Sequence, residues 1–295
     1  MSPDQTLLIQ AIVSGVLMGG IYILVTIGLT MIYGVMELVN FAHGSFLMLG
    51  MYSAFWLSFF WNVSPYLALL FVPIPFFGIG WLVERGIIQR ALEGGYTLAQ
   101  TILTFGLWLI IDNGAVIFWH HDPRTVFQGA PQTFDFGGVF VTHTMIVAFA
   151  IAIGLSVVFH IFMTRSWMGL GLSATAQNRA SAEIVGMNVR NMFALAWGMG
   201  IALVSIGGIL LSTFFTISPY VGLNFLVVAF VVAVLGGLGS YVGAIFGGIT
   251  IGFIEGFFGF IVAPQVKQLS YLIVFIAILA VKPQGLFGKK EERAG

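Results

Sequence analysis

The amino-acid sequence predicts an all-α fold, a polytopic transmembrane helix bundle of about eight or nine spans. Three observations predict it. Only 7% of the 295 residues are charged, against about 25% in a soluble globular chain. Hydrophobic residues make up 59%, and the mean hydropathy is +1.04. The apolar residues also fall in long unbroken runs, unlike the alternating segments of roughly 10 residues that build a membrane barrel. So little charge cannot cover a solvated surface, so the solvent for most of the chain is lipid. Lipid offers the backbone no hydrogen-bond partner, so a span must be a helix or part of a closed barrel. The runs decide for helices.

A span needs about 20 apolar residues. Taken in order, the runs cover 7–32, 41–60, 66–83, 97–119, 144–163, 192–217, 222–240, 242–262 and 268–282. Met1 to Gln10 lacks a basic stretch and a small-residue cleavage site, so it reads as the lead-in to the first span and not as a signal peptide. Many of the 38 glycines lie inside apolar runs, such as Gly15, Gly19 and Gly20. At such positions backbones can approach closely. The denser cluster of Gly236, Gly237, Gly239, Gly243, Gly247 and Gly248 is expected to bend or break its span, in the manner of a re-entrant segment.

Basic residues in short loops set orientation. Arg85 and Arg90 follow the third run; Arg165, Arg179 and Arg190 lie in the loop 164–191; Lys282, Lys289, Lys290 and Arg293 mark the C-terminal end. All three regions are expected in the cytoplasm, which nine crossings satisfy with the N-terminus outside. The loop 120–143 then lies outside, with Arg124 a mild exception beside Asp122 and Asp135.

The formal net charge is +0, which gives no electrostatic case for a nucleic-acid partner. Cysteine is absent, so disulfides and thiolate metal sites are excluded. His120, His121 and His143 share the outer loop without metal-ligand spacing. The chain carries no G-x-x-x-x-G-K-[ST], H-E-x-x-H or G-x-S-x-G motif, so neither nucleotide binding by that route nor the corresponding hydrolytic chemistry is indicated.

Few polar residues interrupt the apolar runs. Glu255 is the first charged residue after Arg190. An acid in lipid faces the bundle interior, either as a pathway group or as a structural ion-pair partner, and both readings stand. Asp112 reads as a residue near the outer, solvated end of its helix. Asn40, His43, Gly44 and Ser45 gather where a helix begins; they suit a small polar ligand or an N-cap with a satisfied buried histidine. The Gly-Ser of residues 44–45 has an echo at Gly239-Ser240 in the second half. In the loop 164–191 the Ala-rich part favours a short helix, and Gly186 suits its stop.

Four ordered blocks carry a family resemblance. They are Gly28-Leu-Thr-Met-Ile-Tyr-Gly34 with Val39-Asn-Phe-Ala-His-Gly44 and Leu47-Met-Leu-Gly50; Ala176-Gln-Asn to Gly186-Met-Asn188; Val234-Leu-Gly-Gly-Leu-Gly-Ser240 to Gly248; and Lys282-Pro-Gln-Gly-Leu-Phe-Gly288. Together they resemble the permeases of bacterial high-affinity branched-chain amino acid ABC transporters. Urea and amide permeases are closely similar, so the solute stays open. Val228 stands where many such permeases carry a lysine.

The resemblance implies one transmembrane permease domain over 1–295 in the bacterial inner membrane, with a cytoplasmic coupling loop at 164–191 and a cytoplasmic tail at 283–295. The implied partners are a second permease subunit or a second copy of this chain, two cytoplasmic ATPases that hold ATP and Mg, and a periplasmic binding protein. The chain itself would bind no cofactor. Asn40, His43, Gly44, Ser45, Gly237, Gly239, Ser240 and Glu255 would line the substrate pathway. Arg179, Ala180, Ala182, Glu183 and Gly186 would couple to the ATPase, with Ala180 to Gly186 as the docking helix.

Overall fold

The first apolar run forms one unbroken helix, α1 (Pro3–Met36), and the rest of the chain is arranged around it. The computed structural model describes residues 3–93, 97–126, 132–262, 267–282 and 284–287. Lys289, Lys290, Arg293 and Gly288 lie outside the described residues, as does most of the tail 283–295.

After α1 come α2 (His43–Trp61), α3 (Pro65–Phe71), α4 (Pro73–Val83), a π-helical turn at Glu84–Ile88, α5 (Gln89–Glu93) and α6 (Thr97–Trp119). A short antiparallel hairpin, β1 (Thr133–Asp135) with β2 (Phe140–Thr142), leads to α7 (His143–Arg165). Next are α8 (Trp167–Gln177), α9 (Arg179–Ile184), α10 (Val189–Leu211), α11 (Val221–Gly236), α12 (Tyr241–Ile261) and α13 (Lys267–Val281). Among the described residues six helices are long and apolar enough to cross a membrane, and seven if the bent α3–α4 pair counts as one span. The shorter apolar helices α11 and α13 complete the set that the sequence predicts.

Three boundaries differ from the sequence reading. The run 66–83 is bent by 45° between α3 and α4, because Pro73 supplies no N–H and starts a new helix. The run 192–217 stops being helical at Leu211, where the chain turns towards an antiparallel bridge between Ile217 and Arg124. The run 222–240 ends at Gly236, and Gly237 (φ 97°) and Gly239 (φ 82°) take a backbone that L side chains rarely adopt. The expected break in the Gly-rich segment is therefore present.

Packing is set by the glycines. α1 makes its most extensive contact with α12. Along that seam a Cβ on Gly19 would sit 2.8 Å from the Gly248 carbonyl oxygen, and one on Gly15 or Gly252 would overlap the facing backbone outright. In lipid, helices gain little from burying apolar area against each other, so close backbone approach supplies the contact. α10 sits on the other side of α1 and also packs on α2 and α4. The seam between α2 and α10 uses Gly50 against Ser205 and Gly208 against Leu47.

The two ends of the bundle differ. At one end Gln10 on α1 exchanges two hydrogen bonds with the backbone of Phe140, and Arg124 lies over the rings of Phe55 and Trp56. At the other, Arg85 donates to Asn191, while Arg179 and Arg190 share a cleft with Gln89. Lys282 comes directly after α13 at this second end. The described basic residues of the three regions singled out in the sequence thus collect on one side, with Arg124 opposite.

Candidate functional site

The chain does not leave the bundle between α1 and α2. Glu37 turns it with φ 56°, and residues 38–42 run back among the helices. Leu38, Asn40 and Ala42 are at most 2% exposed. Backbone buried without a helix needs side-chain partners, and Thr104 on α6 provides one: its hydroxyl accepts from the Phe41 N–H at 3.3 Å and shares its proton between the Thr101 carbonyl at 2.9 Å and the Val39 carbonyl at 3.2 Å. Asn40 accepts the Ala42 N–H at 3.0 Å and starts the turn into α2.

α2 therefore begins inside the bundle. His43, 0% exposed, shares a hydrogen bond from Nε2 with the Val25 carbonyl at 2.9 Å, and its Nδ1 has no hydrogen-bond partner among the described residues. Gly44 lies against the backbone of Gly222 at the start of α11, where a side chain on either would overlap. Ser45 donates to Asp112 at 2.6 Å.

That contact corrects the sequence reading of Asp112. The residue is 4% exposed and seven positions before the end of α6, not at a solvated helix end. Its second oxygen accepts from the Trp108 indole at 2.7 Å. Ionised or neutral, a carboxyl group in lipid needs such donors.

Gly237, Gly239 and Ser240 form the turn between α11 and α12. Ser240 caps α12 by accepting the Gly243 N–H at 3.0 Å. The C-terminal segment covers this turn, with Leu286 N–H donating to Leu235 and Phe287 N–H to Gly236. These carbonyls end a helix and lack internal partners, so the tail satisfies them.

Glu255 lies near the opposite end of α12 and is partly exposed. The Tyr22 hydroxyl donates to it, and Lys267 Nζ approaches its other oxygen at 4.0 Å. The Lys267 stem crosses Gly259, one turn along α12, where any side chain would block it. Glu255 and Lys267 line a cleft of about 290 Å³ with Ser14, Met18, Met145 and Phe260.

The polar loop holds α8 and α9. The observed helix is Arg179–Ile184, so Val185 and Gly186 form its terminating turn instead of its last residues. Asn178 caps it by accepting the Ser181 N–H at 2.9 Å. Gly186 has φ 85°, and the Gly186 and Met187 N–H groups return to Glu183 and Ala182. Ala182 packs inward, whereas Ala180, Glu183, Ile184, Val185 and Gly186 are exposed. Arg179 instead turns its guanidinium inward, donating to the Met36 carbonyl at 2.8 Å.

The residues predicted from sequence do not share one pocket. Four of them, Glu255, His43, Gly239 and Arg179, meet one helix. Along α1, Tyr22 meets Glu255, Val25 and Gly28 meet His43, Gly34 meets Gly239, and Met36 meets Arg179. Sequence reasoning missed Tyr22, Lys267 and Glu84. Lys267 was findable, because an intramembrane acid calls for a basic partner and Lys267 is the next cation along the chain. Glu84, 0% exposed in the π-turn with neither oxygen hydrogen-bonded among the described residues, carried no such signal.

A bundle of apolar helices long enough to cross a membrane, with buried non-helical backbone at 37–42 and a glycine turn at 237–240, has the architecture of a multi-pass membrane protein. The family model described as "Branched-chain amino acid transport system / permease component" matches residues 11–281, and the chain belongs to that family. The chain is 29% identical over 300 residues to the high-affinity branched-chain amino acid transport system permease protein BraD of Pseudomonas aeruginosa, covering 96% of both. It is 29% identical to LivH of Escherichia coli K12 over 314 residues, covering 99% of both. A probable LivH of Methanocaldococcus jannaschii is 28% identical over 92% of this chain and 90% of its own. No solved structure gives a significant match.

Proposed function

We propose that the chain is the permease subunit of an ATP-driven importer for branched-chain amino acids or related small polar solutes. Two cytoplasmic ATPases bind ATP and Mg and close on each other; the loop 164–191 receives that motion, and the translocation pathway opens alternately to the two sides. A second permease subunit, or a second copy of this chain, completes the pathway, and a periplasmic binding protein delivers the solute. The chain sits in the inner membrane with its basic end, including the C-terminus, in the cytoplasm. Asn40, His43, Gly44, Ser45, Gly237, Gly239, Ser240 and Glu255 are the proposed pathway residues.

One observation carries this reading. Arg179 of the loop, the re-entrant turn after Met36 and the Gly237–Ser240 break all meet at the basic end of α1. A force applied to the loop there would act on broken backbone, the part of a transporter free to change shape. The names of the relatives support the cargo class.

The test is solute uptake into proteoliposomes. Uptake should need ATP, the partner ATPases and the binding protein together. Uptake driven by an ion gradient without them would reject the proposal in favour of a secondary transporter or channel, in which Glu255 is the coupling group. Labelled urea and short amides in the same assay separate the rival cargo.

A further inference from the structure

Arg179 is the first residue of a six-residue helix, α9, on the loop proposed to receive the ATPase. Arg179 is exposed as a residue and lines a cleft with Glu183, but its guanidinium reaches into the bundle while Ile184 and Val185 stay exposed. The guanidinium donates to the Met36 carbonyl at 2.8 Å and lies 5.1 Å over the Phe193 ring in the first turns of α10. Met36 is the last residue of α1, where carbonyls have no partner within the helix. A cation at that position is favoured by hydrogen bonding and by the helix dipole together. The planar fork lets one group hold the carbonyl and stack on the ring.

The contact matters because of the chain immediately beyond Met36. There Glu37 has φ 56°, the left-handed turn that ends many helices and is uncommon for a residue other than glycine. From Glu37 the chain enters the bundle and delivers Asn40 and His43 to its interior. The other end of that short segment is pinned by Thr104 and by the Ser45–Asp112 bond. Displacing α9 would therefore pull on a turn whose far end is fixed, and the turn is where the conformation would change.

We propose that Arg179 is the positioning residue through which movement of α9 reaches the re-entrant turn, so that it is needed for coupling and not for docking. This rests on the reading of α9 as the docking element. The exposed apolar residue Ile184, 85% exposed, belongs to the docking face. Arg179 belongs to the linkage behind it.

The complete transporter, with both ATPases and the binding protein, carries the test. Arg179→Gln should lower ATP-dependent uptake by about tenfold or more, the scale of losing a charged hydrogen bond, while the ATPases still co-purify. Arg179→Lys should recover part of the uptake, because an ammonium reaches the carbonyl but does not stack. Spin labels report the linkage directly, since the chain has no native cysteine. The distance between labels at Glu37→Cys and Ser181→Cys should be narrowly distributed with Arg179 and broad with Gln. Full uptake in Arg179→Gln, loss of co-purification along with uptake, or an unchanged distance distribution each overturns the proposal. Ile184→Asp serves as the separate control: if it leaves the ATPases bound, the docking reading itself fails and this inference falls with it.

Discussion

The Cα of Gly239 lies 3.2 Å from the point where a Cβ on Gly34 would sit, which joins the end of α1 to the turn between α11 and α12. A Cβ on Gly34 would need Gly239 to give by a few tenths of an ångström, and a larger side chain by more, while Gly239 holds φ 82°, which L side chains rarely adopt.

Gly34→Leu should therefore wedge the two elements apart. The overpacking cost is about 1–3 kcal/mol, read as a drop of several degrees in the thermal midpoint of the purified protein in detergent. Gly34→Ala should fall between wild type and Leu. Equal midpoints for all three would mean that the junction is not closed as described.

Asp112→Ala should strand the Ser45 hydroxyl and the Trp108 N–H in a buried setting, at a cost of about 1–3 kcal/mol. Asp112→Asn keeps a hydrogen-bonding group for both and should lose less. Because α6 packs lightly on the rest of the bundle, these variants should also speed proteolysis between α6 and α7. An Ala variant as stable and as resistant as wild type would show that the contact does not hold α6.

Gly186 ends α9 with φ 85°, and a Cβ there would meet nothing. Gly186→Trp should thus fold and insert, with a local strain of about 1–2 kcal/mol, yet present a bulky ring on the exposed face and reduce co-purification of the ATPases severalfold. Normal assembly and normal uptake in that variant would remove this face from the docking surface.

For Glu255 the two readings separate in a double-mutant cycle with Lys267. If the pair is structural, Glu255→Gln and Lys267→Met should couple by about 0.5–1 kcal/mol, the discount reflecting the partly exposed lysine, with uptake little changed. If Glu255 is a pathway group, uptake in Glu255→Gln should fall severalfold at unchanged stability. Unaltered uptake confines the residue to packing.

How far the fold could be read from sequence varied with the kind of signal. The run 97–119 coincides with α6 because it is a long, mostly apolar stretch with Glu93 before it and His120, His121 and Asp122 after it. Pro73 announced a break that hydropathy alone passed over, since a window of apolar residues does not register a missing N–H. The re-entry at 37–42 was harder. Leu38, Val39, Phe41 and Ala42 have the composition of any helix end, and their return into the bundle depends on Thr104, some 60 residues away. Asp112 was misplaced for the same reason: its partner Ser45 is distant in sequence. The glycine turn at 237–240 was legible because the residue type itself encodes the backbone it permits.

The seam between α1 and α12 leaves little to rearrange. Where Gly15 and Gly19 touch Gly248, Gly252 and Gly256, backbone meets backbone, with the Ile23 side chain filling the space beside Gly248. Rotating either rod about its axis would bring larger side chains into the space that only these glycines leave open, so the two must part to turn. They make a keel, and the chain's changes of shape must be sought in the elements hung from it.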